Sequence, residues 1–548
     1  MVEFDVAPYK NCWIAVVRNR VVGVGYNAGQ AYHAAKNARA KDRPVIYFVD
    51  ELGTTHKQPE RFDVWFRNPR LTEIMAALDQ LDQDAYLVGG AVRDGLLGQF
   101  DLDADLDLIV PGEALEISKA LANHLGVAYY AVDAEREVGR LVWPDQTHID
   151  VATFRGGSLL ADLGLRDFTI NAIALRLDAA APRLIDPLSG QADLEQGIIR
   201  ATNESAMRDD PLRAARAARF AARFGFTITP ETQAWVKAYA PDLTHVSGER
   251  LRDEVLKLLQ VDRPGQAIGQ LKALDVLPHI LPQVMDMAGV EQSPPHHLPV
   301  FEHTLRVMDC VPLLTFQDAA ALKNAGLDFL SPVRAELEAY FQGELAGNLS
   351  RLSLMPLAAL LHDVGKPQTF VRGSDGRIRF WNHPQVGAEI SQSLMEGWRF
   401  SSQATQFVTM LVRHHMRPLL LSHQKSVSKR AIHRFLIATG ETAPAIALFA
   451  LLDHVGIYAP GTGKAEWQRL AEVVLCLCRA YFRPQPKLLL TGYEVMDHGQ
   501  IPAGPMVGKI LRELREAQAI GQVTDQAGAL KFVEQLARHL KEKENIAD

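Results

Sequence analysis

Asp105-Leu106-Asp107-Leu108-Ile109-Val110 is the stretch on which the reading of this chain turns. It is an apolar run carrying two carboxylates two residues apart, and the period-two geometry of a strand puts both on one sheet face. Two acids held there repel each other unless cations neutralise them. A two-metal phosphoryl-transfer site needs that arrangement, with ions about 3.5–4 Å apart holding the attacking and leaving oxygens. A solvated acidic edge has the same pattern, since Asp101 and Asp103 share the parity. The neighbouring segments decide between the two.

Upstream, Tyr86-Leu87-Val88-Gly89-Gly90 reads as a strand running into a glycine pair, and Ala91-Val92-Arg93-Asp94 opens a helix. Glycines let backbone N–H groups approach a polyanion, and a helix N-terminus adds positive partial charge. Arg93 supplies a phosphate clamp. No Gly-Lys-Ser/Thr follows, so this is not a Walker loop. Downstream, the strand-like His148-Ile149-Asp150-Val151-Ala152-Thr153 presents a third acid, Asp150. Further on, Arg216, Arg219 and Arg223 form a local basic strip that the net charge of −7 conceals. Phosphate binding needs such local cations rather than a basic whole.

The series GGAVRDGLLG, DLDLIV, IDVATFR, RDFTINAIA and DDPLRAARAARFAARFGF, in that order over about 85–226, resembles the class II transfer-RNA nucleotidyltransferase and bacterial poly(A) polymerase superfamily. The resemblance implies metal ligation by Asp105 and Asp107 with Mg2+, and Asp150 as the third catalytic carboxylate. It places the triphosphate on Gly89, Gly90 and Arg93. Arg166, Asp167 and Asn171, with Arg216, line the nucleotide pocket. Asp210 and Arg213, one turn apart on a helix, read the incoming base of CTP or ATP; acceptors on one and donors on the other suit a Watson–Crick edge. Three features depart from the family pattern. Asp209 stands for the usual Glu, Leu165 for a second Arg, and only Gly156 to Leu165 connect Arg155 to Arg166. A connection so short resembles partial enzymes that add only cytidines. C addition is therefore expected to be robust, and A addition slow or absent.

A second constellation follows. Pro356 to Pro367 contains His362-Asp363 at the end of an apolar helix, with His303 upstream and His383, His415 and Asp453 downstream. It resembles an HD phosphohydrolase domain, where imidazole and carboxylate hold a divalent ion (Mg2+, Mn2+, Ni2+ or Co2+) that activates water. His303, His362, Asp363 and Asp453 are expected on a first metal, and His383 and His415 on a second metal or the phosphate. His414 is an alternative to His415.

At 548 residues the chain is too long for one core. The fold class is α+β. A small ββαβ domain (1–66) comes first, with strands Trp13 to Val17, Val21 to Tyr26 and Pro44 to Val49 and a helix Ala28 to Lys41. A nucleotidyltransferase mixed sheet (71–200) follows, with strands Ala85–Val88, Leu106–Val110, Ile149–Thr153 and Ile170–Leu175. Then come a helical neck (201–285), an HD domain (290–480) and a helical tail (485–548). No apolar run of about 18–20 residues marks a membrane span. The N-terminus lacks a signal-peptide pattern, and four scattered cysteines suit a reducing cytoplasm. The function expected is two-metal addition of C and/or A to a tRNA 3′ end. Its rivals are poly(A) or A-only addition, and an HD phosphohydrolase whose front half binds RNA.

Overall fold

The computed structural model describes residues 6–10, 12–25, 31, 34–35, 38, 44–49, 55–57, 65, 68–100, 105–177, 183–346, 349–459, 461–483 and 487–544. The chain forms two compact units, 1–239 and 240–548. Asp101 and Asp103, and most of the helix expected over 28–41, lie outside the described residues.

The first unit opens with an antiparallel sheet of β1 (Cys12–Val17), β2 (Arg20–Gly25), β3 (Val45–Val49) and β4 (Thr55–Lys57), in the order β2-β1-β3-β4. Arg18 and Asn19 both adopt positive φ (49° and 58°), which the two-residue turn between twisted strands demands. The fourth strand was not expected, because three residues are too few to show a period. Trp65 is buried, and its Nε1 donates to the Ala91 carbonyl at 2.9 Å. A Cβ at Gly95 would fall 2.2 Å from that indole, so the glycine makes room for the ring.

The main sheet holds β5 (Tyr86–Val88), β6 (Leu106–Val110), β7 (Ala128–Asp133), β8 (Val138–Val142), β9 (His148–Thr153), β10 (Ala174–Arg176) and β11 (Arg183–Ile185), in the order β11-β10-β5-β6-β9-β8-β7. Only β6 and β9 pair in parallel, and their register sets Asp107 beside Asp150. Helices α1 (Pro69–Gln80), α2 (Gly90–Leu97), α3 (Ala114–Leu125), α4 (Leu159–Gly164), α5 (Glu204–Asp209) and α6 (Leu212–Phe224) surround it. The strand read over Ile170–Leu175 is shorter than expected: Thr169–Asn171 is a 3-10 turn, and pairing begins at Ala174. There Thr169 donates to Asp193 at 2.6 Å and Asn171 to Asp167 at 2.9 Å, so polar side chains replace the ladder.

The second unit is almost wholly helical. Five elements position its centre: α7 (Val300–Met308), α8 (Arg351–Leu361), α9 (His383–Gly397), α10 (Ser402–His414) and α11 (Ala443–Ile457). Contrary to the sequence expectation, the helical stretch Lys429–Ile457 is long and apolar enough to cross a bilayer by composition. It is core, since 72% of its apolar window is buried inside the protein. The tail helices Gly492–Gly499, Pro505–Ile520 and Gln526–Glu544 close a core of their own around Val495, Ile510, Leu514 and Val533.

Replacing Trp65 with Ala should destabilise the first unit by about 3–5 kcal/mol, the usual cost of emptying a large aromatic site. Urea unfolding followed by far-UV circular dichroism measures it. A loss under about 1 kcal/mol would show that the indole is not part of this core.

Candidate active site and metal centre

Asp105 immediately precedes β6 and is 81% exposed, with His148 Nε2 at 3.5 Å. Asp107 follows on the same face. Its side chain is exposed to solvent, with protein packed close around it. That crowding raises its pKa against the pull of Arg166, and the nearby Asp150 and Asp105 add to the rise. Cations would relieve this, and carboxylate oxygens are the donors that hard divalent ions take. Asp150 lies alongside in register, but its carboxylate is held by Arg140 on β8, through Nε at 2.7 Å and Nη2 at 2.8 Å.

Gly89 links β5 to α2 with φ of 73°, and a Cβ there would meet Arg166 Nη1 at 3.3 Å and Asp107 Oδ2 at 3.7 Å. The turn, the acid and the arginine therefore border one small space, and Gly90 follows at the helix start. Arg93 is turned inward. It donates to Asn171 Oδ1 at 2.6 Å and to Asp94 at 2.8 Å, between the rings of Phe220 and Phe224. Asn171 passes the chain of hydrogen bonds to Asp167, which accepts from Arg216 Nε at 2.8 Å. Burial alone would raise the pKa of Asp167, but Arg216, Asn171 and the Phe168 N–H outweigh it and hold it low. Arg93, Asn171, Asp167 and Arg216 thus form one connected network.

One expectation needs correction. Asp210 and Arg213 do not sit a turn apart on a single helix: α5 ends at Asp209, Asp210 is extended (φ −146°, ψ 96°), and α6 starts at Leu212. Pro211 causes this, because a residue before proline is pushed out of the helical region. Arg213 instead donates to the Ala206 carbonyl at 3.1 Å. Within the basic strip of α6, Arg219 is buried over Phe220 and Arg223 pairs with Asp94 at 3.3 Å.

The second centre gathers all six expected residues. His303 Nε2 lies 3.3 Å from His362 Nε2 and 3.1 Å from Asp453 Oδ1. His362 Nε2 is 3.1 Å from Asp363 Oδ2, while His383 and His415 approach Asp363 Oδ1 at 3.4 and 3.9 Å. Two triads result, His303-His362-Asp363 and Asp363-His383-His415, both buried and sharing Asp363. The Nδ1 atoms of His362, His383 and His415 lie 2.7, 2.9 and 2.7 Å from the carbonyls of Ala359, Phe380 and Val412. Donation there fixes the tautomer and aims each Nε2 inward, as metal ligands require. The buried Nε2 atoms of His383 and His415 have no hydrogen-bond partner. Such orphaned nitrogens fit a cation. His415 rather than His414 occupies the site. Burial opposes the charge on Asp363, but His362, Lys366 and His383 keep its pKa well below the usual range.

These arrangements match known proteins. The model "Poly A polymerase head domain" matches residues 85–200, "Probable RNA and SrmB- binding site of polymerase A" matches 225–287, and "HD domain" matches 339–443. An A-adding tRNA nucleotidyltransferase of Deinococcus radiodurans is 35% identical over 462 residues, 83% of this chain and 95% of its own length. The chain belongs to the tRNA nucleotidyltransferase family. A CC-adding tRNA nucleotidyltransferase of Thermus thermophilus is 31% identical, over 82% of this chain and 93% of that one. A Thermotoga maritima CCA-adding enzyme complexed with tRNA shares the fold, with a TM-score of 0.54, 21% identity and coverage of 86% and 96%. Head and HD domains of this family are of kinds that use divalent metals.

Several site residues escaped the sequence reading. Asp162, whose side chain is 2% exposed, accepts from Arg155 Nε at 3.0 Å and from Arg166 Nε and Nη2 at 3.1 and 3.0 Å. The short connection is therefore α4, pinned at both ends. The i,i+4 spacing to Arg166 was the available signal. Arg140 had none, because cross-strand partners are not visible in a linear pattern. Lys366 pairs with Asp363 at 2.6 Å, and His296 packs edge-on against His303 at 5.5 Å between centroids. Gly456 matters by what it lacks: a Cβ there would stand 2.7 Å from His303 Nδ1.

Burial pushes the Asp162 pKa up, yet Arg155 and Arg166 hold it below its ordinary value. Its pairing therefore stabilises the fold above the unfolded pKa of about 4 and is lost as pH falls through the lower folded value. Asp162→Asn should flatten the acid limb of a stability–pH profile and raise the KM for nucleotide; a parallel profile would show that the pairing is not felt. In the second unit, Asp363→Ala should abolish binding of both Mn2+ equivalents in calorimetric titration, whereas His415→Ala should weaken one. Loss of a single equivalent from Asp363→Ala would show that the triads do not share it.

Proposed function

We propose that this protein adds C and/or A nucleotides to the 3′ end of tRNA, with Asp105 and Asp107 holding Mg2+ and Asp150 beside them. The observation that carries the reading is the meeting of Asp107, Gly89 and Arg166 around one small space. There an acid for the cation, an unhindered backbone for the triphosphate and a fixed guanidinium lie together. The 3′-hydroxyl of the RNA attacks the α-phosphate of CTP or ATP; the new O–P bond forms as the bond to pyrophosphate breaks. Cations held by Asp105 and Asp107 would neutralise the developing charge and lower the pKa of the attacking hydroxyl. Arg166, oriented by Asp162, faces the triphosphate. The Arg93-Asn171-Asp167-Arg216 network shapes the nucleotide pocket, with Asp210 in the α5–α6 link and Arg213 in the first turn of α6 beside it.

Switching from C to A needs a pocket that reshapes. Asp162 ties Arg155 and Arg166 together across the short connection that contains α4. This supports a partial enzyme serving one base, with cytidine addition as the first reading. Addition of A alone is the second, favoured by the identity to the Deinococcus protein. The HD centre is read as a phosphohydrolase site for Mg2+, Mn2+, Ni2+ or Co2+, acting independently of nucleotide addition. A reducing cytoplasm suits a protein whose partners are tRNA, CTP and ATP.

The test offers tRNA transcripts ending before the CCA, or in CC, with CTP, ATP or both. The expected product is elongation by one base type only; efficient completion of CCA would overturn the fixed-pocket reading. Asp107→Ala should abolish incorporation, while His362→Ala combined with Asp363→Ala should spare it. Incorporation by the Asp107 variant at the wild-type rate would sink the metal assignment.

A further inference from the structure

The catalytic face of the main sheet continues past its acids. Register places Asp107 on β6, Asp150 on β9, Arg140 on β8 and Tyr130 on β7 in one cross-strand row. Tyr130 is 58% exposed and Val132, two residues on, is 51% exposed. On the opposite face the alternating residue Leu141 is fully buried, over α3. The exposed side is concave: Tyr130, Val132, Arg140, Val142 and Gln146 line a cavity of about 580 Å³. Nucleotide chemistry elsewhere in the molecule does not use it.

We propose that this cavity is a subsite for the unpaired nucleobases that precede the RNA 3′-hydroxyl, with the Tyr130 ring as their stacking platform. The inference rests on the nucleotidyl-transfer reading above and adds the path of the second substrate. In-line displacement requires the attacking oxygen and the leaving pyrophosphate on opposite sides of the α-phosphate. The triphosphate side is that of Gly89 and Arg166, next to β5. The primer must then arrive from the other side of Asp107, across β9, β8 and β7. Strands lie about 4.8 Å apart, so Tyr130 stands roughly 14 Å from Asp107. About four stacked nucleotides span that distance at ~3.4 Å each. An aromatic face receives any base, and Arg140, held by Asp150 through Nε and Nη2, keeps its Nη1 N–H groups as hydrogen-bond donors for a backbone phosphate.

Steady-state kinetics on a tRNA transcript lacking its CCA test this with Tyr130→Ala and Tyr130→Trp. Because the ring is exposed, neither change threatens folding, which thermal melting checks. Tyr130→Ala should raise the KM for RNA roughly ten- to hundredfold, the measured worth of one stacked base, with kcat and the KM for the nucleotide held. Tyr130→Trp should restore the wild-type value. Abasic substitution among the last four residues of the RNA should weaken the wild type and leave the Ala variant without further loss. An unchanged RNA KM in an active Tyr130→Ala protein overturns the subsite, as does an equal rise in both KM values. So does Tyr130→Ala behaving as wild type while a proline in β7 abolishes RNA use, the signature of a protein strand pairing with that edge. A wild type that elongates no RNA at all overturns the nucleotidyl-transfer reading and this one with it.

Discussion

Asp107 and Asp150 stand in register on neighbouring parallel strands, and like charges at that spacing repel. Much of the first unit is arranged around that repulsion. On one side Arg140 takes the Asp150 carboxylate bidentately; on the other Arg166 lies close enough to pull on Asp107. Arg166 is in turn held by the buried Asp162, whose second partner is Arg155. The result is an alternation of acid and base reaching from β8 through the sheet centre to α4. Asp107 alone keeps no ion-pair partner of its own among the described contacts, and it is the acid whose pKa rises. A cation arriving there meets a carboxylate that the protein has left uncompensated.

The second centre solves the opposite problem. Its ligands are sealed from water rather than open to it, so every polar atom must be accounted for. Backbone carbonyls take up the outer nitrogens of three histidines, which leaves the inner ones to converge on Asp363. Lys366 balances part of the buried charge. An open acid strand suits a site that must admit a long polymer and a triphosphate. The closed imidazole cluster, by contrast, leaves little room beyond its own converging side chains.

What the sequence made legible follows from range. The DLDLIV strand, its one-face acids and the turn at Gly89 are local patterns, and they are found where the pattern put them. That the HD residues from His303 to Asp453 would converge was legible through resemblance, because no local period connects them. Arg140 was hidden, since its partner is brought near only by sheet register, whereas Asp162 left the i,i+4 spacing to Arg166 as its one local trace. The Asp210–Arg213 geometry failed for a local reason that was on the page: Pro211 separates the two, and a proline at a helix start excludes its predecessor. The strand read at Ile170–Leu175 failed because hydrophobicity was weighed over the side-chain bonds of Thr169 and Asn171.

Gly456 carries a consequence for how this protein tolerates change. It sits within the apolar, almost wholly buried helix α11, three residues after Asp453, and contributes no atom to the centre. Yet the ring of His303 rests where its side chain would be. Adding a single methyl group there would displace His303 on a different helix, so the proposed centre could be disrupted while all six of its residues are intact. A catalogue of such proteins sorted by ligand identity alone would count that variant as competent. The hydrogen atom at position 456 is as much a determinant of the chemistry as the imidazole it accommodates.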